Sequence, residues 1–356
     1  MTRLPMQQTT SRRGFSRTDL LVVLSLTMLL GALIAPGILS AQQKARALDC
    51  LSNIRAVGLA FQVYASSNKG KLPLLTTSIS IRNSTGQAGN LVAGWPVVLL
   101  PAMDSNDLFK KLHETAVVEA GSARVAESEK IAMPSLTCLN DPDAHRKPGR
   151  MSYIVNAGFI SRDLYTGDPD RKHRPGSLSW DDNDATGEAK DIAVHAATAV
   201  IWNASDAIEP SLDRISTGDG STMTLLLAEN LQAGNWYDTD TTRIGLTVPV
   251  MNTKGRVPFG KGATFDSKLA PLNTEFDGGT LADAKPQDWQ INADLMAKLG
   301  TRPRPSSNHK GFVNVIFCDG AARKLSQKID PHVYVKLVTS DAVTFGERLL
   351  KPSATE

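Results

Sequence analysis

Cysteine is scarce in this 356-residue chain: there are three, at positions 50, 138 and 318. The number is odd, no two form a C-x-x-C pair, and none stands at metal-ligand spacing from a histidine, so no local zinc or redox motif is present. One disulfide is open to an oxidising compartment, with one thiol left over; spacing does not choose the pair. The six histidines include no H-E-x-x-H, since His113-Glu114 lacks the second histidine, and a zinc hydrolase is thereby disfavoured. No G-x-S-x-G elbow exists to present a nucleophilic serine. Gly260-Lys261-Gly262 is a lone G-x-G without the strand and helix that make a phosphate loop. Excess charge is missing too. The formal +3 resides in Arg3, Arg12 and Arg13, because the first 14 residues hold no acid; the 39 Lys+Arg less these three equal the 36 Asp+Glu. A neutral remainder offers no nucleic-acid surface.

What the chain does have is Arg12-Arg13-Gly14-Phe15-Ser16-Arg17-Thr18-Asp19, followed by an uncharged run from Leu20 to Leu39. As a helix this run spans about 30 Å, the thickness of a bilayer's hydrocarbon core, and it exceeds the roughly 7–15 residues of a secretory h-region. Asp19 stands at the edge of the run with no basic partner on its own helical face, a costly place for a carboxylate. Beyond Gly37 the helical pattern continues through Ala41, Ala45, Leu48, Leu51, Ile54, Val57, Phe61 and Ala65, at steps of three and four, and stops near Asn68-Lys69-Gly70 with Pro73 beyond. After Gly70, short apolar runs alternate with Gly, Asn, Asp, Ser and Pro, as expected of strands and turns. Val92 to Leu100, Met151 to Val155, Ala197 to Trp202 and Thr222 to Leu227 read as strands or short helices. Asp104 to Ala126 is the best candidate for further helix, and residues 165–190 and 252–285 read as long loops. Phe312 to Cys318 leads into Asp319-Gly320, a strong hairpin signal because a type I′ turn needs positive φ at both central residues. Asp219-Gly220 marks a second turn.

Gly14-Phe15 with an acid four places on and an apolar helix behind it resembles the leader of type IV pilins and secretion pseudopilins. The resemblance implies that prepilin peptidase cuts between Gly14 and Phe15 and methylates the new amine. It also implies that Asp19 takes the place of a glutamate that pairs with a neighbouring subunit's N-terminal amine. Pro36 sits where those helices carry a kinking proline. Two departures stand out: Asp19 is one methylene shorter than glutamate, and Arg17 occupies a normally apolar place. A plain signal anchor, and a secretory signal cut near Leu39-Ser40-Ala41, are the competing readings of the same stretch.

His309, nine residues, then Asp319-Gly320 is similar to the H-x9-D-G motif at the C-terminus of a large family of prepilin-like bacterial proteins whose role is undefined. Further landmarks of that family occur in order: Ala45-Arg46 with Cys50, Asn53, Gly58, Tyr64, Gly70 and Pro73; Gly94 to Pro101; Cys138-Leu139-Asn140-Asp141-Pro142; Ser152 to Gly158; and Asp219 through Glu229. His309 and Asp319 could pair across the base of the hairpin; alternatively His309 caps a loop and Asp319 only makes the turn. A calcium-loop opening exists at Asp182, Asp184, Thr186 and Glu188, but Ala193 stands where an EF-hand carries its twelfth-position glutamate, and no other cofactor is indicated.

The resulting expectation is an α+β, pilin-like fold with no enzymatic site. A leader (1–14) precedes a long N-terminal helix (15–69), transmembrane over 15–39 and an amphipathic stalk over 40–69. This helix packs on a β-rich periplasmic head (70–340), and a tail (341–356) follows. The expected location is the bacterial inner membrane, single-pass with the N-terminus cytoplasmic. The expected work is structural: assembly with other pilin-like subunits into a pseudopilus or filament for secretion or display. A tethered ligand-binding or scaffold module is the alternative.

Overall fold

The computed structural model describes residues 16–119, 122–124, 131–161, 189–203, 208–250 and 290–345. The chain divides into two compact units, residues 1–46 and 47–356. A single helix, α1 (Arg17–Ser67), contributes to both.

In the first unit, α1 opens with side-chain caps. Thr18 N–H donates to Ser16 Oγ (3.3 Å) and Ser16 N–H donates to Asp19 Oδ2 (3.1 Å), so the N-cap hydroxyl satisfies the N2 backbone donor and the N3 carboxylate satisfies the N-cap's own. Every described side chain from Ser16 to Arg46 is exposed. The expected transmembrane span over 15–39 is overturned, and with it the membrane-spanning fold class and the single-pass inner-membrane location. Among the described residues no helix is long and apolar enough to cross a membrane.

The second unit is α+β with a β-rich domain. In it the remainder of α1 buries Ala47, Cys50, Ile54, Val57, Phe61 and Ala65, steps of three and four that make one apolar stripe, with Ala60 at its edge. The stripe is rotated from the expected one at its start: Leu48 is exposed, and Cys50 is buried instead. Gly58 lies where α1 meets the sheet, and a Cβ there would come within 2.7 Å of Ile316 Cγ2.

A five-stranded sheet carries the core in the order β7-β5-β6-β8-β9. These strands are β5 (Tyr153–Ser161), β6 (Leu225–Glu229), β7 (Gly245–Val250), β8 (Phe312–Phe317) and β9 (Ala322–Ser326). β5 and β7 run parallel; the other pairs are antiparallel. Every residue of β6 is buried, as in a central strand covered on both faces. A smaller sheet, order β1-β2-β4-β3, holds β1 (Thr76–Arg82), β2 (Ala88–Gly94), β3 (Val117–Glu119) and β4 (Ser122–Arg124). Short helices fill the gaps: α2 (Trp95–Val98), α3 (Asn106–Glu114), α4 (Ala189–Thr198), α5 (Leu212–Thr217), α6 (Thr241–Ile244) and α7 (Pro331–Val338).

Several expected elements change type. Val92 to Leu100 begins as strand and ends as helix, because Pro96 sits in the first turn of α2, where its missing N–H costs no helical bond. The helix expected over 104–126 stops at Glu114, and β-branched Val117 and Val118 follow as a strand. Ala197 to Trp202 is the end of α4 and a turn, while residues 162–188 and 251–289, with most of both expected loops, lie outside the described residues. Trp95, Trp202 and Trp236 are fully buried, and each donates its indole N–H to a backbone carbonyl, of Ile244, Ile208 and Ile131 respectively. A buried indole thereby contributes a large apolar surface without an orphaned donor.

Candidate functional site

β8 is flanked by the two ends of the H-x9-D-G spacing. At its far end the chain turns through Cys318-Asp319-Gly320 into β9. Gly320 N–H donates to Phe317 O (2.9 Å) and Phe317 N–H to Ala321 O (3.0 Å). Gly320 has φ +82°, and Asp319 is not among the positive-φ residues, so this is a three-residue loop with glycine alone in the left-handed region. The type I′ turn expected from Asp-Gly is therefore corrected. Asp319 Oδ1 accepts from Ala321 N–H (2.8 Å), and Gln62 Nε2 donates to Cys318 O (2.9 Å), tying α1 to the turn. Asp219-Gly220 does more than turn: the Asp219 carboxylate accepts from Thr339 Oγ1, Ala342 N–H and Val343 N–H. Burial pushes the Asp219 carboxyl up despite these donors.

His309 lies before the near end of β8 and faces a different centre. The imidazole and the Glu229 carboxylate are side chains 1% and 2% exposed. They meet at hydrogen-bond distance, His309 Nε2 to Glu229 Oε1 at 3.2 Å. Register explains it. Pairing of Ala228 with Val315 brings Glu229 alongside Asn314, whose N–H donates to Glu229 Oε2 (2.8 Å) and whose Nδ2 donates to Oε1 (2.9 Å). Asn140 Nδ2 lies 3.0 Å from His309 Nδ1. In the neutral tautomer that lets this amide donate to Nδ1, the ring proton stays on Nε2, which donates a hydrogen bond to Glu229 Oε1. Phe312 stacks on the imidazole, centroids 5.1 Å apart and planes 6° from parallel.

Cysteine completes the cluster. Cys50 from α1 and Cys138 form a disulfide, and Cys138 Sγ lies 3.5 Å from His309 Nε2. Cys318 is buried and free, and burial pushes its thiol pKa up. The loop bearing Cys138 is built by Asp141, which accepts from Asp143 N–H, Ala144 N–H and Ser152 Oγ; Ser152 Oγ in turn accepts from Cys138 N–H (3.1 Å). Burial raises the Asp141 carboxyl, and only partly do these donors offset it. Tyr153, paired with Glu229 across β5 and β6, is held well above the usual phenol range, first by burial and then by the charges of Glu229 and Asp141. Ligand-type atoms of Cys50, Cys138, Glu229 and His309 all lie within 4.8 Å of one another.

The structure thus separates the two ends of the motif and gives His309 partners that sequence reasoning did not supply. Neither a His309–Asp319 pair nor an isolated loop cap describes it. Cys138, Asn140 and Glu229 appeared only as landmarks; their convergence had no local signal. Gly14, Phe15 and the calcium candidates Asp182, Asp184, Thr186 and Glu188 lie outside the described residues.

The model of the family described as protein of unknown function (DUF1559) matches residues 39–332 of this chain. The chain belongs to the DUF1559 family. Members are associated with prepilin-like proteins and have no established activity. The match begins after Gly14, Phe15 and Asp19 and includes the whole cluster around His309. No curated protein and no solved structure matches this DUF1559 chain.

Proposed function

We propose that this DUF1559 protein is a structural subunit of the pilin type, which assembles with other copies through the apolar part of α1 into a pseudopilus or filament. The observation that carries the reading is the exposure of large apolar side chains along one continuous helical stretch. Leu20, Leu21, Val22, Val23, Leu24, Leu26, Met28, Leu29, Leu30 and Ile34 are each between 44% and 71% exposed. Consecutive positions place them all round the helix, a distribution found where helices are buried on every side. Each such side chain gains about 1.5–3 kcal/mol on full burial. Other copies of the same helix offer matching apolar surface.

The leader fits the same reading. Prepilin peptidase removes residues 1–14 and methylates Phe15, as the resemblance to prepilins implies. Asp19 then has a choice of partner: the local Ser16 N–H it holds here, or the amine of a neighbouring copy, which carries a full charge. Assembly exchanges the first for the second.

Light scattering on the processed protein tests this. Native protein is expected to form concentration-dependent oligomers, and the double substitution Leu21→Asp/Leu24→Asp to yield monomers. A native protein that stays monomeric, or a double variant that associates equally well, overturns the reading. Mass spectrometry of the mature N-terminus tests the processing step: methylated Phe15 is expected, and retention of residues 1–14 refutes it.

A further inference from the structure

The disulfide, the imidazole and the carboxylate described above crowd into one buried point, more than a covalent cross-link requires. We infer that, once the Cys50–Cys138 bond is reduced, Cys50, Cys138, His309 and Glu229 form a tetrahedral site for a divalent transition metal of the zinc class. The centre then has two closed states, one joined by a disulfide and one joined by a metal. This inference is independent of how the protein assembles.

The distances support it. Zinc binds thiolate at about 2.3 Å, imidazole at about 2.0–2.1 Å and carboxylate at about 2.0–2.2 Å. A tetrahedron with those bonds has sulfur–nitrogen edges of about 3.5 Å and nitrogen–oxygen edges of about 3.4 Å. Cys138 Sγ to His309 Nε2 is 3.5 Å, and His309 Nε2 to Glu229 Oε1 is 3.2 Å. Both edges already have the length a metal needs. The two sulfurs must also move from bonded contact to an edge of about 3.8 Å, and all four ligand atoms already lie within 4.8 Å of one another. The outer shell is also in place: Asn140 contacts the other ring nitrogen of His309, and Asn314 holds the Glu229 carboxylate through both its backbone and its side-chain nitrogen. Such partners orient metal ligands and are worth roughly 10–100-fold in affinity.

The chemistry balances. A small dithiol supplies two electrons and two protons, becomes a disulfide itself, and leaves Cys50 and Cys138 as thiols. The metal displaces both thiol protons. His309 changes tautomer, with its proton moving from Nε2 to Nδ1, and the Asn140 amide turns to accept it through Oδ1. Two protons are released for each metal bound.

Cobalt(II) added to the full chain, reduced with a dithiol and freed of excess reductant, provides the test. The expected result is one cobalt per chain, a thiolate-to-cobalt charge-transfer band, the visible bands of a tetrahedral ion, and release of two protons. The oxidised protein is expected to bind none, and Cys318→Ala to behave as the parent. His309→Gln is expected to weaken binding more than 10-fold. Asn140→Ala, outside the ligand set, keeps the fold by circular dichroism and the tetrahedral spectrum while weakening binding at least several-fold. Absence of the tetrahedral spectrum in the reduced parent overturns the inference, whether or not the reduced chain stays folded. So does a His309→Gln or Cys50→Ser protein that binds cobalt as the parent does, or an Asn140→Ala protein of unchanged affinity.

Discussion

At the scale of single residues, Glu229 and Asp319 differ sharply, although only the second belongs to the H-x9-D-G spacing. Glu229 is buried and accepts from His309 and twice from Asn314. Asp319 holds one backbone N–H in its turn, and its contact with Arg323 is 3.8 Å and partly exposed. Removing a buried carboxylate leaves its hydrogen-bond donors unsatisfied, at about 1–3 kcal/mol for each stranded group, whereas a partly exposed pair contributes about 0–1 kcal/mol. Urea unfolding is therefore expected to show Glu229→Ala as severely destabilised and Asp319→Ala as only mildly so; equal costs would contradict the assignment of the core to Glu229. His195, buried in α4, has its pKa lowered to about 3, first by desolvation and then by the Arg214 charge. The folded state keeps the ring neutral, whereas the unfolded chain protonates it near its ordinary value of 6.5. Its contribution is present above pH 6.5 and is lost as pH falls toward about 3, by up to about 1.4 kcal/mol per pH unit. Thermal midpoints measured over that window are expected to drop less steeply in His195→Gln than in the parent. Asp141 and Asp219, raised by burial, act in the opposite direction, so the His195 signal is read from the difference between variant and parent.

At the scale of elements, α1 is held in the second unit by three kinds of contact. Its apolar stripe joins the core, with Phe61 and Trp95 rings 5.4 Å apart; Gln62 bonds the β8–β9 turn; and Cys50 is covalently linked to Cys138. The bond spans 88 residues, for which loop-closure entropy gives about 4–5 kcal/mol. Cys138→Ala is expected to lower the urea midpoint by at least 2 kcal/mol in free-energy terms, near the bottom of the usual range for native disulfides. Gly58 sets how closely the helix approaches β8. A methyl group there meets Ile316, a buried β-branched side chain with little freedom to move. Gly58→Ala gains about 0.5–1 kcal/mol of helix propensity and loses about 1–3 kcal/mol to overpacking. A net loss of stability is expected, relieved by Ile316→Ala, which removes both γ carbons that the new methyl meets, in a double-mutant cycle; additivity of the two changes would show that the contact does not limit packing.

At the scale of the molecule, the two units bury apolar surface in different ways. The second has its own core, reaching from Cys50 to Ala342. The first exposes its apolar side chains and has no core among the described residues. Substitutions in the first should therefore change association without changing the stability of the second. Leu21→Asp/Leu24→Asp is expected to leave the thermal midpoint of the second unit within about 0.5 kcal/mol of the parent, since exposed positions away from packing usually move stability no more than that. A larger loss would mean that these side chains support the core.

The sequence by itself determined the local elements. Apolar residues at three- and four-residue steps specify α1, and Phe312 to Phe317 followed by Asp319-Gly320 specifies the β8–β9 hairpin, because period and turn chemistry act over a few neighbouring residues. It was a poorer guide to the membrane span, where composition suggested 15–39 but no described helix has the length and apolarity required. Only the tertiary structure decided the partner of Cys50 and the surroundings of His309. Cys138 and His309 are 171 residues apart, and Glu229 and His309 are 80 apart. No periodicity reaches that far; sheet register and the docking of α1 place those atoms together.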